Sequence, residues 1–161
     1  MTQTKRSDQD EATMENYTQT LHIHTSPHRL YQAVTTAPGL KGWWSDNTVA
    51  DNDEMTVRFG GGNFQTMRLV DPTPDQHVAW EWIAQNFPVP GTAQTDEWVG
   101  TRVVFEIQAN PDDSSTLVFT HMGLTPQLAC YDLCNPGWHS SLESLKQYLE
   151  QGAGTPYVGP V

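Results

Sequence analysis

The sequence predicts an α+β domain: an antiparallel sheet of about six strands covered by one long C-terminal helix, with two short helices after the first strand. Three observations predict it. Trp138, Leu142, Leu145 and Leu149 step by four, three and four residues, the spacing of one helix face. Upstream lies a series of segments that alternate with period two, bounded by Pro, Gly, Asn and Asp clusters, as half-buried strands are. Helical patterns stand only at the two ends of that series, the order of an antiparallel sheet packed on one face rather than of repeated βαβ units.

Tyr17 to Thr25 reads YTQTLHIHT, with Tyr17, Leu21 and Ile23 on one face and Thr18, Thr20, His22 and His24 on the other. Ser26-Pro27 opens a helix to about Thr36, a capping residue followed by proline in the first turn. Its inward side carries Leu30, Tyr31, Ala33 and Val34. Pro38-Gly39 breaks it, and Leu40, Trp43 and Trp44 predict one further helical turn. A meander follows. Glu54 to Phe59 and Phe64 to Val70 flank the turn Gly60-Gly61-Gly62-Asn63, and Asp71 to Asp75 turns the chain into His77 to Ile83. Ala84 to Glu97 reads as a loop. Val99 to Gln108 and Thr116 to Met122 are strands joined across Asn110 to Asp113. Thr101, Val103, Phe105 and Ile107 share one face, as do Leu117, Phe119 and His121, and Val78, Trp80 and Trp82; Glu81 falls on the opposite, solvated side.

The closing helix starts at Asn135, an N-cap before Pro136, and stops at Gly152 and Gly154 ahead of Pro156. About sixteen residues at ~1.5 Å each make a rod of about 24 Å, enough to cross a small sheet. The chain divides into a disordered polar leader over 1–15, one domain over 16–156 and a tail over 157–161.

Acidic residues number 19 against 8 Lys plus Arg, for a net charge of −11. Such a surface repels phosphate backbones and anionic lipid, which excludes nucleic acid and membrane as partners. No segment has the length or apolarity of a membrane helix, and the N-terminus has no signal-type apolar core, so the expected compartment is the cytoplasm. Cys130 and Cys134 do not make a disulfide framework and read as structural thiols; a redox pair, or a metal site with His139, are the other readings.

Several runs together resemble a known family. They are DEWVGTRVVFEI (Asp96–Ile107), FTHMGLTP (Phe119–Pro126), CYDLC (Cys130–Cys134), Trp138 and SLESLKQYLEQGAGTP (Ser141–Pro156). To these add SPHRLYQAVTTAPGLKGWWS (Ser26–Ser45) and FGGGNFQTMRLVDPTPDQHVAWEW (Phe59–Trp82). The chain is similar to the START-related helix-grip (SRPBCC) superfamily, and within it to the bacterial activator-of-heat-shock-protein-90-ATPase homologues. The resemblance implies a curved antiparallel sheet gripping the C-terminal helix, with a cavity between them. It implies no mechanism.

The functional expectation is a small hydrophobic or aromatic molecule bound between sheet and helix, lined by Trp44, Phe59, Trp80, Trp82, Phe105, Phe119, His121, Trp138 and Leu142. His121 is the sharpest candidate for chemistry, an imidazole on an apolar face that could orient a ligand or move a proton; the alternative is a hydrogen-bonded core histidine. Trp98 belongs at the rim. His22, His24 and His28 have a metal-like spacing but no carboxylate or thiol to complete a site, so they read as solvated. No catalytic residue, metal or cofactor is assigned. Two further readings compete: a chaperone-accessory or stress-response module with a protein partner, and a cyclase- or lyase-type enzyme using His121. Monomer and homodimer both stay open.

Overall fold

Alternating side chains in NYTQTLHI put Leu21 and Ile23 inward and make β1, Asn16–Ile23. The computed structural model describes residues 16–88, 95–123 and 131–161, with backbone only for Asn16 and 131–136. Ser26 caps α1, Pro27–Thr35, its hydroxyl accepting from the Arg29 N–H at 3.2 Å. Thr36 does the same for α2, Ala37–Trp43, accepting from the Gly39 N–H at 3.0 Å. The meander runs β2 (Asn47–Asp51), β3 (Glu54–Arg58), a short 3-10 turn at Gly60–Gly62, β4 (Phe64–Thr73), β5 (His77–Asn86), β6 (Arg102–Ala109) and β7 (Ser115–Met122). The chain closes with α3, Tyr131–Gln151.

Among the described residues seven strands form one antiparallel sheet in the order β1-β7-β6-β5-β4-β3-β2. The concave face packs on α1, α2 and α3, and one apolar cluster runs through all of them, from Ile23 and Leu30 through Val57, Met67 and Phe105 to Leu145 and Leu149. Glu81 lies on the outer face as alternation predicts, 3.4 Å from Arg102; Arg68 and Glu54 pair there at 3.2 Å. These exposed pairs add little stability.

The structure departs from the sequence reading at several places. The sheet has seven strands rather than about six. The extra one, β2, reverses the usual pattern, with Thr48 buried and Val49 62% exposed, so alternation cannot find it. β5 extends three residues past Ile83. β6 begins at Arg102 rather than Val99, because residues 97–100 are turns; Gly100 has φ +90, and its N–H donates to Trp82 O at 3.0 Å. α3 begins at Tyr131, which puts the expected cap, Asn135-Pro136, inside the helix. Residues 157–161, the expected C-terminal tail, dock against the domain. Tyr157 bridges Ser45 in parallel, its N–H donating to Trp44 O and its carbonyl accepting from the Asp46 N–H, both at 2.9 Å. Cys130 lies outside the described residues, as does the side chain of Cys134.

Gly154 makes that docking possible. A Cβ there would stand 2.6 Å from Ser144 O and 2.9 Å from Gly42 O, so only glycine lets the returning chain cross between α2 and α3. The Thr155 N–H then donates to Ser144 Oγ at 2.7 Å, and the Ser144 hydroxyl donates to Trp43 O at 2.7 Å.

Candidate functional site

α1 ends without intrahelical partners for its last carbonyls, as every helix does. Two indoles supply partners for two of them: Trp43 Nε1–H donates to Ala33 O at 2.8 Å and Trp80 Nε1–H to Val34 O at 2.9 Å. Those bonds fix a stack of nearly parallel rings. Trp43 and Trp44 lie 5.7 Å apart, and Trp44 and Trp80 5.3 Å, with interplanar angles of 7° and 11°. A second stack pairs Trp98, from the turn before β6, with Trp138 of α3 at 5.4 Å and 7°. The Trp44–Trp138 contact at 5.7 Å joins the two.

A cleft of about 600 Å³ opens beside these rings. Its walls are Trp43 of α2 and its C-cap Trp44, Phe59 in the turn after β3, Trp98 and Trp138, and Tyr157 of the C-terminal segment. Polar side chains enter at Gln65 of β4, Gln85 of β5, and Ser141 and Ser144 of α3; Glu97 is the acidic lining residue, and no Lys or Arg lines it among the described residues. Gln65 and Gln85 are direct cross-strand partners. A β-bulge shifts the register between Thr66 and Met67, so that Thr66 pairs with Ala84 while Met67 pairs with Trp82. Ile83 is the extra residue. Strict alternation from Trp80 and Trp82 would turn Gln85 outward; the bulge brings it to the inner face, as bulges beside binding sites often do.

Of the side chains expected to line the site, Trp44, Phe59 and Trp138 line the cleft, as does Trp98. Trp80, Trp82, Phe105, Phe119, His121 and Leu142 are instead buried behind it. Phe105 packs on Trp80 at 4.6 Å and Phe119 on Trp138 at 4.6 Å. They support the wall without facing the space. The sequence reading missed Gln65, Gln85, Ser141, Ser144 and Tyr157 as lining residues. Gln65 could have been found by parity with Met67; Gln85 and Tyr157 depend on the bulge and the docked C-terminus.

His121 is fully buried and both its nitrogens are engaged. Trp138 Nε1–H donates to Nδ1 at 2.9 Å. Thr101 gives its single hydroxyl hydrogen to Trp98 O at 2.6 Å, so Nε2–H is the donor in the 2.8 Å contact with Thr101 Oγ1. The imidazole is therefore the neutral Nε2–H tautomer, and burial pushes its pKa down to about 3. Protonating Nδ1 would set two N–H groups against each other. His121 locks β6, β7 and α3 together at the back of the Trp98–Trp138 stack.

His22 Nε2 approaches Ser114 Oγ at 2.6 Å, and Ser114 donates to Asp112. The carboxylate here holds the serine rather than the far side of the imidazole, so nothing activates a nucleophile; the cluster ties the β6–β7 turn to β1. His28 pairs with Asp75 at 3.0 Å, and His24 packs edge-on against His22 at 5.0 Å. Among the described residues no three His, Cys, Asp or Glu gather as metal ligands, and no helix is long and apolar enough to cross a membrane.

Comparison with known proteins agrees with this architecture. The family model "Activator of Hsp90 ATPase homolog 1-like protein" matches residues 24–150. The solution structure of the Aha1 dimer from Colwellia psychrerythraea is 27% identical, covers 86% of this chain and 98% of its own, and superposes with a TM-score of 0.70. SSP2350 from Staphylococcus saprophyticus is 14% identical over 89% of this chain and 97% of its own, at 0.64. DynU16, a putative protein of the dynemicin biosynthetic locus, is 16% identical over 87% of this chain and 49% of its own, also at 0.64. The last two show the fold alone. A search of curated proteins finds no match. With the matched span covering most of the chain and the sheet wrapped on its C-terminal helix, this protein belongs to the Activator of Hsp90 ATPase homolog 1-like family and has its helix-grip fold.

Proposed function

We propose that the protein binds a small, flat, hydrophobic molecule in the cleft between α2, the paired strands β4 and β5, α3 and the docked C-terminal segment. The carrying observation is the aromatic lining: Trp44, Phe59, Trp98, Trp138 and Tyr157 around about 600 Å³, a volume within the range of small-molecule pockets. Indole faces held by stacking and by backbone hydrogen bonds form rigid walls, so little conformational entropy is lost when a planar ligand enters. An enzymatic reading through His121 lacks support, because that ring is behind the wall with both nitrogens occupied. The family's name assigns no partner to this chain by itself.

The test uses 1-aminoanthracene, a neutral planar fluorophore that brightens when water is excluded. The wild-type protein should bind it at micromolar concentration. Ser141→Trp, placed on the half-exposed lining of α3 and filling the cleft, should abolish binding while the circular dichroism spectrum stays unchanged. Equal binding by both proteins, or none by the wild type, refutes the reading.

A further inference from the structure

The unused hydrogen-bonding capacity at the buried end of the cleft is made of donors. Gln65 is only 5% exposed, and its amide orientation follows from its neighbour: Trp82 Nε1–H can only donate, so the 2.6 Å contact belongs to Gln65 Oε1. The Gln65 NH2 group then has no partner among the described residues. Gln85 repeats the arrangement, since its Oε1 accepts from the backbone N–H of Trp98 at 2.9 Å and its NH2 is left over. The two glutamines face each other across β4 and β5. Trp44 adds an indole N–H with no partner among the described residues, whereas those of Trp43 and Trp138 are spent on Ala33 and His121. Ser144 both donates and accepts already.

A pair of outward-turned amide donors with fixed acceptor ends is a receptor for an oxygen acceptor. Its charge preference follows from what surrounds it. No Lys or Arg lines the cleft among the described residues, Glu97 does, and the chain carries a net charge of −11. A carboxylate or phosphate would be desolvated without a counter-charge, which is strongly unfavourable. A carbonyl oxygen needs none.

We infer that the Gln65–Gln85 pair recognises a neutral carbonyl oxygen, so that the ligand class is an aromatic ketone, quinone, ester or amide rather than a hydrocarbon or an acid. The inference rests on the cleft-binding reading and adds its selectivity. The β5 bulge is what makes it possible, because without the extra residue Ile83 only one of the two donors would face inward.

Three naphthalenes of similar size test it: 2-acetonaphthone, 2-ethylnaphthalene and 2-naphthoate, titrated calorimetrically at pH 7. The wild-type protein should prefer the ketone over the hydrocarbon by about tenfold, the scale of one hydrogen bond, and bind the carboxylate most weakly. Gln85→Glu keeps an acceptor for the Trp98 N–H but replaces the free NH2 by oxygen. It should lose tenfold or more for the ketone while 2-ethylnaphthalene changes less than threefold. Gln65→Met should also erase the preference, and thermal melts of both variants check that they are folded. Equal wild-type affinity for ketone and hydrocarbon overturns the carbonyl assignment but leaves hydrophobic binding standing. Tighter binding of 2-naphthoate overturns the charge argument. If none of the three binds and 1-aminoanthracene does not either, both readings fall together.

Discussion

A buried histidine with both nitrogens committed behaves differently from one in a working site, and His121 makes the difference measurable. Its pKa of about 3 lies below the ordinary imidazole value near 6.5 because burial disfavours the cation. Between those two values the unfolded chain binds a proton that the folded chain refuses, so this residue's contribution to stability is present above about pH 6.5 and is lost as pH falls toward 3. The slope is at most about 1.4 kcal/mol per pH unit. His121→Asn, whose side-chain oxygen can still accept from Trp138, should cost ~1–3 kcal/mol at pH 7 through the lost Thr101 bond and poorer packing. The diagnostic is the difference between pH 7 and pH 5 in urea unfolding. The wild type should lose about 2 kcal/mol more over that interval than the variant, and parallel losses would show that His121 titrates normally. Parity along β7 placed this ring inward from sequence alone. What parity could not give was the commitment of Nδ1 to Trp138 and of Nε2 to Thr101, contacts made by residues 17 and 20 positions away.

The elements most legible in the sequence were those whose side chains obey a single period. β6 and β7 bury alternate residues without interruption, and Trp138, Leu142, Leu145 and Leu149 all reach the core from α3. Elements that break period were harder to read. β2, away from the cleft, buries its threonine; of those that shape the cleft, β5 carries a bulge and the segment after α3 has no regular structure beyond one bridge at Tyr157. The aromatic wall at Trp44, Phe59 and Trp138 was therefore visible in advance, whereas Gln85 and Tyr157 were not. The C-terminal crossing at Gly154 gives this a test at the level of an element. Gly154→Ala puts a methyl against two backbone carbonyl oxygens that cannot rotate away, so the segment must lift from α2 and α3 and give up the Thr155–Ser144 and Gly154–Gly42 hydrogen bonds. The expected loss is ~1–3 kcal/mol by urea unfolding. Gly137→Ala is the internal control. Nothing lies within 4 Å of its would-be Cβ and it sits in α3, so it should be neutral or stabilise by a few tenths to about 1 kcal/mol. Similar behaviour of the two variants would mean that the crossing is not tight.

At the scale of the whole molecule, the cleft and the core share their walls. Trp43, Trp44, Trp98 and Trp138 belong to the same apolar cluster as Ile23, Met67 and Leu145, and the lining comes from α2, β4, β5, α3 and the C-terminal segment. A ligand there touches elements from nearly the whole length of the described chain, so it should stabilise the domain as a unit rather than one edge of it. Mass action sets the size of the effect. A ligand held at a hundred times its dissociation constant adds about 2.7 kcal/mol to the folded state. For a chain of this length, each kcal/mol raises the melting temperature by roughly 2–4 °C. Differential scanning calorimetry should then show one transition that moves up by about 5–11 °C with saturating 2-acetonaphthone and stays single. Ser141→Trp should melt near the wild-type temperature and not respond to the ketone. Two resolved transitions, with only one of them moving, would mean that the cleft is a separable surface feature. A single transition that shifts equally in wild type and Ser141→Trp would put the binding site elsewhere. The shared aromatic wall ties recognition to global stability, because the rings that would meet a ligand are the same rings that close α1 and pack α3 on the sheet.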